Sequence, residues 1–208
     1  MVRIIQVGPK RVRRLLRSMG IMPIYPQRNL SKLGIAKYIH SYKLRKLEIT
    51  HSNQVWAIDI TYIPMNWGFM YLTAIIDVYS RYIVGWGLSN SLDGENSLEV
   101  LRQTIARHGK PDIINSDQGS QFTCQAWVEL LKAHEIEISM DGRGRCLDNK
   151  WIERFWRTLK REYVYLNPVE NGHELFKGIK WYMQYYNNQR THRSLSRQIP
   201  FQWYEYAA

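Results

Sequence analysis

Three acids of this 208-residue chain sit where an acid needs a reason. Asp59 lies inside an apolar, β-branched stretch, QVWAIDITYIP, at residues 54–64. Val55, Trp56, Ile58, Ile60 and Ile63 flank it. Burying a bare carboxylate there costs several kcal/mol, so Asp59 must be paired, solvated in a cleft, or bound to a cation. Asp117 closes the short apolar run at 113–117, at the carboxyl end of a predicted strand, where ligands of open α/β sheets gather. Glu153 lies in a predicted helix at 149–164. On a helical wheel Ile152, Phe155, Leu159 and Tyr163 share one side, while Glu153 shares another with Asn149, Lys150, Arg157 and Lys160. Trp156 borders that basic face. The plain alternative for Glu153 is a surface acid paired with Arg157 at i+4.

With seven Asp and eleven Glu, a spacing between acids carries little weight, and position relative to the elements carries more. Three convergent carboxylates suit Mg²⁺, which prefers hard oxygen ligands and takes only one or two carboxylates per ion. Two such ions about 4 Å apart can serve in-line phosphoryl transfer, with one acid bridging. No His/Cys cluster, phosphate-binding P-loop or G-x-S-x-G elbow competes for the role.

The elements that must position these acids follow from the hydrophobic pattern. Residues 54–64, 69–80 and 82–88 read as three strands joined by short connections, hence an antiparallel meander. Residues 93–108 have helical period, with Leu98, Leu101 and Ile105 on one face, and Gly109-Lys-Pro111 stops them. A strand at 113–117, a helix at 123–134 and a strand at 136–140 follow. A glycine-rich loop, Asp141-Gly-Arg-Gly-Arg145, leads into helices at 149–164 and 172–187. Meander plus strand–helix crossovers predict an α/β fold, a mixed five-stranded sheet with helices on both faces.

Charge divides the chain. Residues 1–50 hold 12 Lys+Arg and one acid, while residues 51–208 hold 17 Lys+Arg and 17 Asp+Glu, so the whole net +11 lies in the first quarter. The expected domains are a basic helical segment with linker at 1–50 and a neutral globular domain at 51–208. Val12, Leu15, Leu16 and Met19 recur at helical spacing among Arg11, Arg13, Arg14 and Arg17, which predicts a short helix with an arginine face. A polyanion such as nucleic acid is the natural partner of such a segment, against the alternative of a solvated basic tail. Two cysteines, Cys124 and Cys146, give no disulfide framework, and no run approaches 18 apolar residues, so a cytoplasmic rather than a secreted or spanning protein is expected. His40 and His51 lack a following Cys pair, so a structural zinc is not expected.

Several stretches resemble a known family. Trp56-Ala-Ile-Asp-Ile-Thr-Tyr-Ile63, Ile76-Asp-Val-Tyr-Ser-Arg81, Asn115-Ser-Asp-Gln-Gly-Ser-Gln-Phe122, Ser139-Met-Asp-Gly-Arg-Gly-Arg-Cys-Leu-Asp-Asn149 and Trp151-Ile-Glu-Arg-Phe-Trp-Arg-Thr-Leu-Lys160 carry it, with Tyr186-Asn187 and His192 further on. They resemble the second-reading-frame product of the two-frame (IS-three) family of bacterial insertion-sequence transposases. The resemblance covers about residues 8–205. It implies a ribonuclease-H-like catalytic core of the retroviral-integrase type. It also implies an acid triad at Asp59, Asp117 and Glu153, the last two separated by 35 residues as in that family. The implied cofactor is Mg²⁺, two ions per site, with Mn²⁺ as a substitute. The implied chemistry is DNA cleavage and strand transfer during transposition, in the cytoplasm at the bacterial nucleoid. Implied partners are DNA (element ends and target), further copies of the chain, and an upstream-frame helix-turn-helix protein; no membrane is implied. Residues 8–50 resemble the end of a basic DNA-binding segment that is cut short, so an N-terminally truncated copy is expected.

The expected DNA contacts are Arg11, Arg13, Arg14 and Arg17 in the first helix, Arg143 and Arg145 in the loop, and Asn149, Lys150, Arg157 and Lys160 on the Glu153 helix. Asp148 is the expected helix cap. Asp77 is expected to be structural, paired with Arg81. Trp156 and Tyr163 are expected in the core or an interface, with base stacking as a weaker alternative. The rival function is a non-catalytic, truncated DNA-binding protein that modulates full-length transposase. A hybrid-cleaving ribonuclease shares the fold, but the basic front segment disfavours it.

Overall fold

The computed structural model describes residues 8–19, 38–142 and 149–205. Arg143, Arg145, Cys146 and Asp148 lie outside the described residues, as does the expected break after the first helix at 22–26.

The first helix, α1, spans Pro9–Ser18. Proline suits a first helical position because its missing N–H is unpaired there in any case. Val12, Leu15, Leu16 and Met19 are all exposed on it.

The main body, residues 34–208, is built on one sheet. Its strands are β1 (Val55–Pro64), β2 (Phe69–Asp77), β3 (Ile83–Ser89), β4 (Ile113–Ser116) and β5 (Glu137–Met140), in the order β3-β2-β1-β4-β5. β1–β2 and β2–β3 pair antiparallel, while β1–β4 and β4–β5 pair parallel. The expected mixed five-stranded sheet is thus observed. The parallel pairs need crossovers, and α2 (Gly94–His108) and α3 (Gln125–Ala133) supply them. α4 (Lys150–Glu162), α5 (Gly172–Asn188) and a short α6 (Pro200–Glu205) complete the fold. α6 and the 3₁₀ turns at Val164–Leu166 and Arg193–Leu195 went unread in the sequence, being too short to show a period.

β1 is the central strand and its first half is covered on both faces, which explains the apolar run Val55–Ile58 that precedes Asp59. Val55, Ala57 and Ile63 face Ile152, Phe155 and Leu159 of α4 and Ile179 and Tyr182 of α5. Trp56 and Ile58 face Leu98 and Leu101 of α2 and Trp127 and Leu131 of α3. Residues 38–50 run along this body, with Leu44 buried and the Lys43 N–H donating to Ser139 Oγ at 3.0 Å. No helix among the described residues is long and apolar enough to cross a membrane.

Two buried polar groups fix the edges that the site depends on. Asp77 accepts from the Ser80 N–H at 2.7 Å, the Ser80 hydroxyl at 2.5 Å and the Asn53 N–H at 2.8 Å, which ties the end of β2 to the start of β1. Asp77 is structural as expected, but its carboxylate accepts from Ser80 and Asn53, while Arg81 bonds it through the backbone, its N–H donating to the Asp77 carbonyl at 2.9 Å. The tight turn puts the serine donors nearer the carboxylate, on which the Arg81 side chain acts through its charge. Asn187 of α5 accepts from the Ile83 N–H at 2.9 Å and donates to the Ile83 carbonyl at 3.0 Å. Its amide thereby replaces a missing strand neighbour at the start of β3, an outer strand of the sheet.

Replacing Asn187 with Leu strands a buried N–H and a buried carbonyl. The expected loss is about 2–4 kcal/mol of stability, read as a fall in the urea midpoint at unchanged slope.

Candidate active site

The parallel register sets the first two acids side by side. Val55, Trp56 and Ala57 pair with Ile113, Ile114 and Asn115, and the same offset continued by two residues aligns Asp59 with Asp117. Asp59 points to the α4 face, being directly opposite Ala74 of β2, which packs there. Asp117 is exposed, just past the end of β4. Its Oδ1 accepts from the Gly119 N–H at 2.9 Å. A Cβ on residue 119 would press on that same oxygen at 2.9 Å, so glycine lets the loop close over the acid.

Glu153 occupies the first turn of α4 and is exposed. It forms no ion pair among the described residues, so the plain reading of an i+4 bridge to Arg157 is not realised. α4 is fastened to β1 by two polar contacts. The Trp156 indole N–H donates to Asp59 Oδ2 at 2.9 Å, and Lys160 Nζ donates to Thr61 Oγ1 at 2.8 Å. Two residues of strand rise about 6.7 Å and four residues of helix about 6 Å, so both contacts form at once without strain.

Burial raises the Asp59 pKa to about 6. The indole N–H and the Ile60 backbone pull against that shift, while the charges of Asp117 and Glu153 add to it. Asp59 therefore feels the charges of both other carboxylates. Among the described residues, however, no three His, Cys, Asp or Glu side chains stand close enough together to hold an ion as placed. The donor set still fits a divalent cation. All three groups are hard carboxylate oxygens, one is half-buried with its pKa raised by burial and then by its like-charged neighbours, and two sit on exposed side chains.

Around the acids, Asn115 Nδ2 donates to Asp141 Oδ1 at 2.8 Å, and Gln118 Nε2 donates to the Asp141 carbonyl at 2.8 Å. These bonds tie the ends of β4 and β5 together beside Asp117. Asn149 is buried, and its Oδ1 has no hydrogen-bond partner among the described residues. It stands at the cap position of α4 without making a side-chain cap bond.

Family profiles described as "Integrase core domain" match residues 49–146 and 134–200. The chain is 32% identical over 211 residues to the transposase of insertion sequence element IS904 from Lactococcus lactis, covering 97% of this chain and 82% of that protein. It is 34% identical over 115 residues to transposase InsF of insertion sequence IS3A from Escherichia coli, covering 54% of this chain and 40% of that one. The chain belongs to the insertion-sequence transposases with an integrase core. Among solved structures, the catalytic core of HTLV-2 integrase in complex with magnesium superposes with a TM-score of 0.59 at 20% identity, covering 74% of this chain and 97% of that one. The catalytic core of BIV integrase gives 0.58 at 18% identity, covering 74% and 95%. Those likenesses establish a ribonuclease-H-like fold.

The expected DNA contacts divide by environment. Arg11, Arg13 and Arg14 are exposed on α1, where Arg17 also lies. Lys150 and Arg157 are exposed on α4, and Lys150 rests over the Trp151 ring at 4.9 Å. Lys160 is half-buried, and Asn149 is buried rather than on an open basic face. Trp156 is buried too, which excludes it as a stacking platform, and Tyr163 packs on Trp181 and Tyr182. Sequence reasoning missed Trp156 and Lys160 as supports of β1. A tryptophan on the border of an apolar helix face was the available signal, but its acceptor is 97 residues away.

The folded pKa of Asp59 lies above its ordinary 3.8, so the folded chain keeps a proton that the unfolded chain gives up. Stability therefore falls as pH rises from 3.8 to about 6, and the full cost persists above that window. Asp59→Asn should gain about 1–3 kcal/mol at pH 7.5 in the presence of a chelator. It should gain nothing at pH 4, as read by urea unfolding at both values.

Proposed function

We propose that this chain is a DDE-type polynucleotidyl transferase that cleaves and joins DNA strands during transposition of an insertion sequence. The observation that carries this reading is a half-buried Asp59 that the β1–β4 register, continued by two residues, brings level with Asp117, with Glu153 acting on the same carboxylate from α4. Asp59, Asp117 and Glu153 would hold two Mg²⁺ ions, with Mn²⁺ able to replace them. Such ions, when bound, neutralise charge on a phosphodiester and favour the attacking oxygen. Trp156 holds Asp59 in one orientation, so this carboxylate is positioned in advance as a ligand. Lys160, donating to Thr61 and within electrostatic reach of Asp59, sets a positive charge beside the acids on the side where a phosphate backbone would lie. Water or a 3′-hydroxyl attacks the phosphorus in line. As the new P–O bond forms, the ester P–O bond opposite it breaks, the attacking group gives up its proton and the departing sugar oxygen leaves protonated as a hydroxyl, with positioning rather than a covalent enzyme intermediate supplying the catalysis.

DNA is the substrate class, and Arg157, Lys150 and the arginines of α1 are the proposed backbone contacts. So are Arg143 and Arg145, which lie outside the described residues. Joining two element ends calls for more than one copy of the chain on DNA. The upstream-frame helix-turn-helix protein remains a proposed partner that would supply recognition of the element ends.

Purified chain should nick supercoiled plasmid with Mg²⁺ or Mn²⁺, and a chelator should stop it. Glu153→Gln, Asp59→Asn and Asp117→Asn should each lower nicking by at least 10²-fold while keeping the fold by circular dichroism. Activity retained in Glu153→Gln would sink the assignment of that acid. Salt-sensitive duplex binding without nicking by any form would favour the non-catalytic DNA-binding alternative.

A further inference from the structure

A second basic site lies on another side of α4 from Glu153. A cavity of 490 Å³ opens between the turn after β2, the first turns of α4, the end of α5 and the segment that follows it. Arg81, Lys150, Arg154, Arg190, His192 and Arg193 line it, and among the described residues no carboxylate does. Trp151, Phe155 and Tyr186 form apolar walls, with Thr158, Thr191 and Ser194 adding hydroxyls.

The charges in this cavity are not matched. Arg190 alone is neutralised, by a two-pronged bridge to Glu162 with Nε–Oε2 at 2.8 Å and Nη2–Oε1 at 2.6 Å. Arg81, Lys150, Arg154 and Arg193 have no ion pair among the described residues. Arg81 carries a buried Nη1 with no hydrogen-bond acceptor. Its nearest acid is Asp77, whose oxygens already accept from Ser80 and Asn53. A buried guanidinium nitrogen without an acceptor is costly, and a bound anion is the ordinary remedy.

The backbone adds a second, independent sign. Arg81 has φ of 65°, a left-handed conformation that glycine or asparagine would adopt at lower cost. An arginine held there against its preference marks a position where the side chain matters. His192 reports the same field. Burial first, then the charges of Arg190 and Arg81, push its pKa down to about 4, so it is neutral at physiological pH and presents a hydrogen-bond group without adding charge.

We propose that this cavity is a phosphate-binding site, separate from the acid cluster, that holds a non-scissile phosphate group through Arg81, Arg154 and Arg193. Size and chemistry agree. The cavity exceeds the volume of one phosphate, its donors are guanidinium forks suited to two phosphate oxygens, and its apolar walls accommodate a sugar face. Two sources share this chemistry, a phosphodiester of the DNA backbone and free phosphate. Only the choice of DNA as the source rests on the function proposed above. Because Arg154 follows Glu153 directly in α4, a strand crossing that helix would meet both sites.

The test is nuclear magnetic resonance of the full chain at neutral pH, observing the Arg81 side-chain N–H and the His192 ring. The probes are inorganic phosphate and, separately, a blunt DNA duplex. Both signals should shift on adding phosphate, and the shifts should vanish in an Arg154→Gln/Arg193→Gln double variant, whose changes are exposed and leave the core untouched. If DNA is the source, the duplex moves the same two signals and the double variant lowers the slope of log affinity against log salt by about 2. Shifts with phosphate but not with duplex would keep the site and make free phosphate its ligand. No shift with either probe, or equal shifts in the double variant, would overturn the proposal. Nicking measured alongside separates the two readings. A native chain that never nicks but shows the shifts loses the catalytic assignment and keeps the phosphate site.

Discussion

Everything near the candidate active site depends on one carboxylate held in the middle of an apolar strand. Asp59 would destabilise β1 if left bare, and the structure answers with the Trp156 indole rather than with a cation from the chain. The choice matters. A lysine or arginine pair would fix the acid as a permanent ion pair, whereas a neutral N–H donor leaves its charge available. The result is a carboxyl whose pKa is raised to about 6 by burial and by the two neighbouring acids. Such a group is poised to gain from a divalent cation, because the cation relieves both causes of the shift at once.

The same indole bond sets the helix. Once Trp156 reaches Asp59, helical geometry carries Glu153 to the turn before and Lys160 to the turn after, where it meets Thr61. A single helix thus supplies an acid, a donor that positions another acid, and a nearby positive charge. Its apolar stripe of Ile152, Phe155 and Leu159 provides the burial that keeps this arrangement in place. Packing energy and site geometry therefore come from the same helix and cannot vary independently.

Two groups of cations among the described residues stand in contrast. Arg190, Lys43, Arg102 and Lys110 sit against acids and contribute to the body of the fold. Arg81, Lys150, Arg154, Arg157 and Arg193 have no acid bridged to them among the described residues, and they flank α4. Clustered like charge repels itself, and an external anion relieves that repulsion. In the function proposed above, the acids of the candidate site and the unbridged arginines near them answer to one polyanionic substrate.

The sequence by itself determined the α/β class, the five strands and the longer helices, because each carries its own period of two or 3.6 over enough residues to be read. It also singled out Asp59, since a carboxylate amid Val55, Trp56, Ile58 and Ile60 breaks the pattern locally. Only the tertiary structure decided what lies beside that acid. The alignment of Asp59 with Asp117 is a property of parallel register between strands 58 residues apart, and nothing local encodes register. The roles of Trp156, Asn187 and Arg81 were equally hidden, for the same reason. A side chain that acts by donating to, accepting from or repelling a distant group leaves no period in its own neighbourhood, and its partner exists only once the chain has folded.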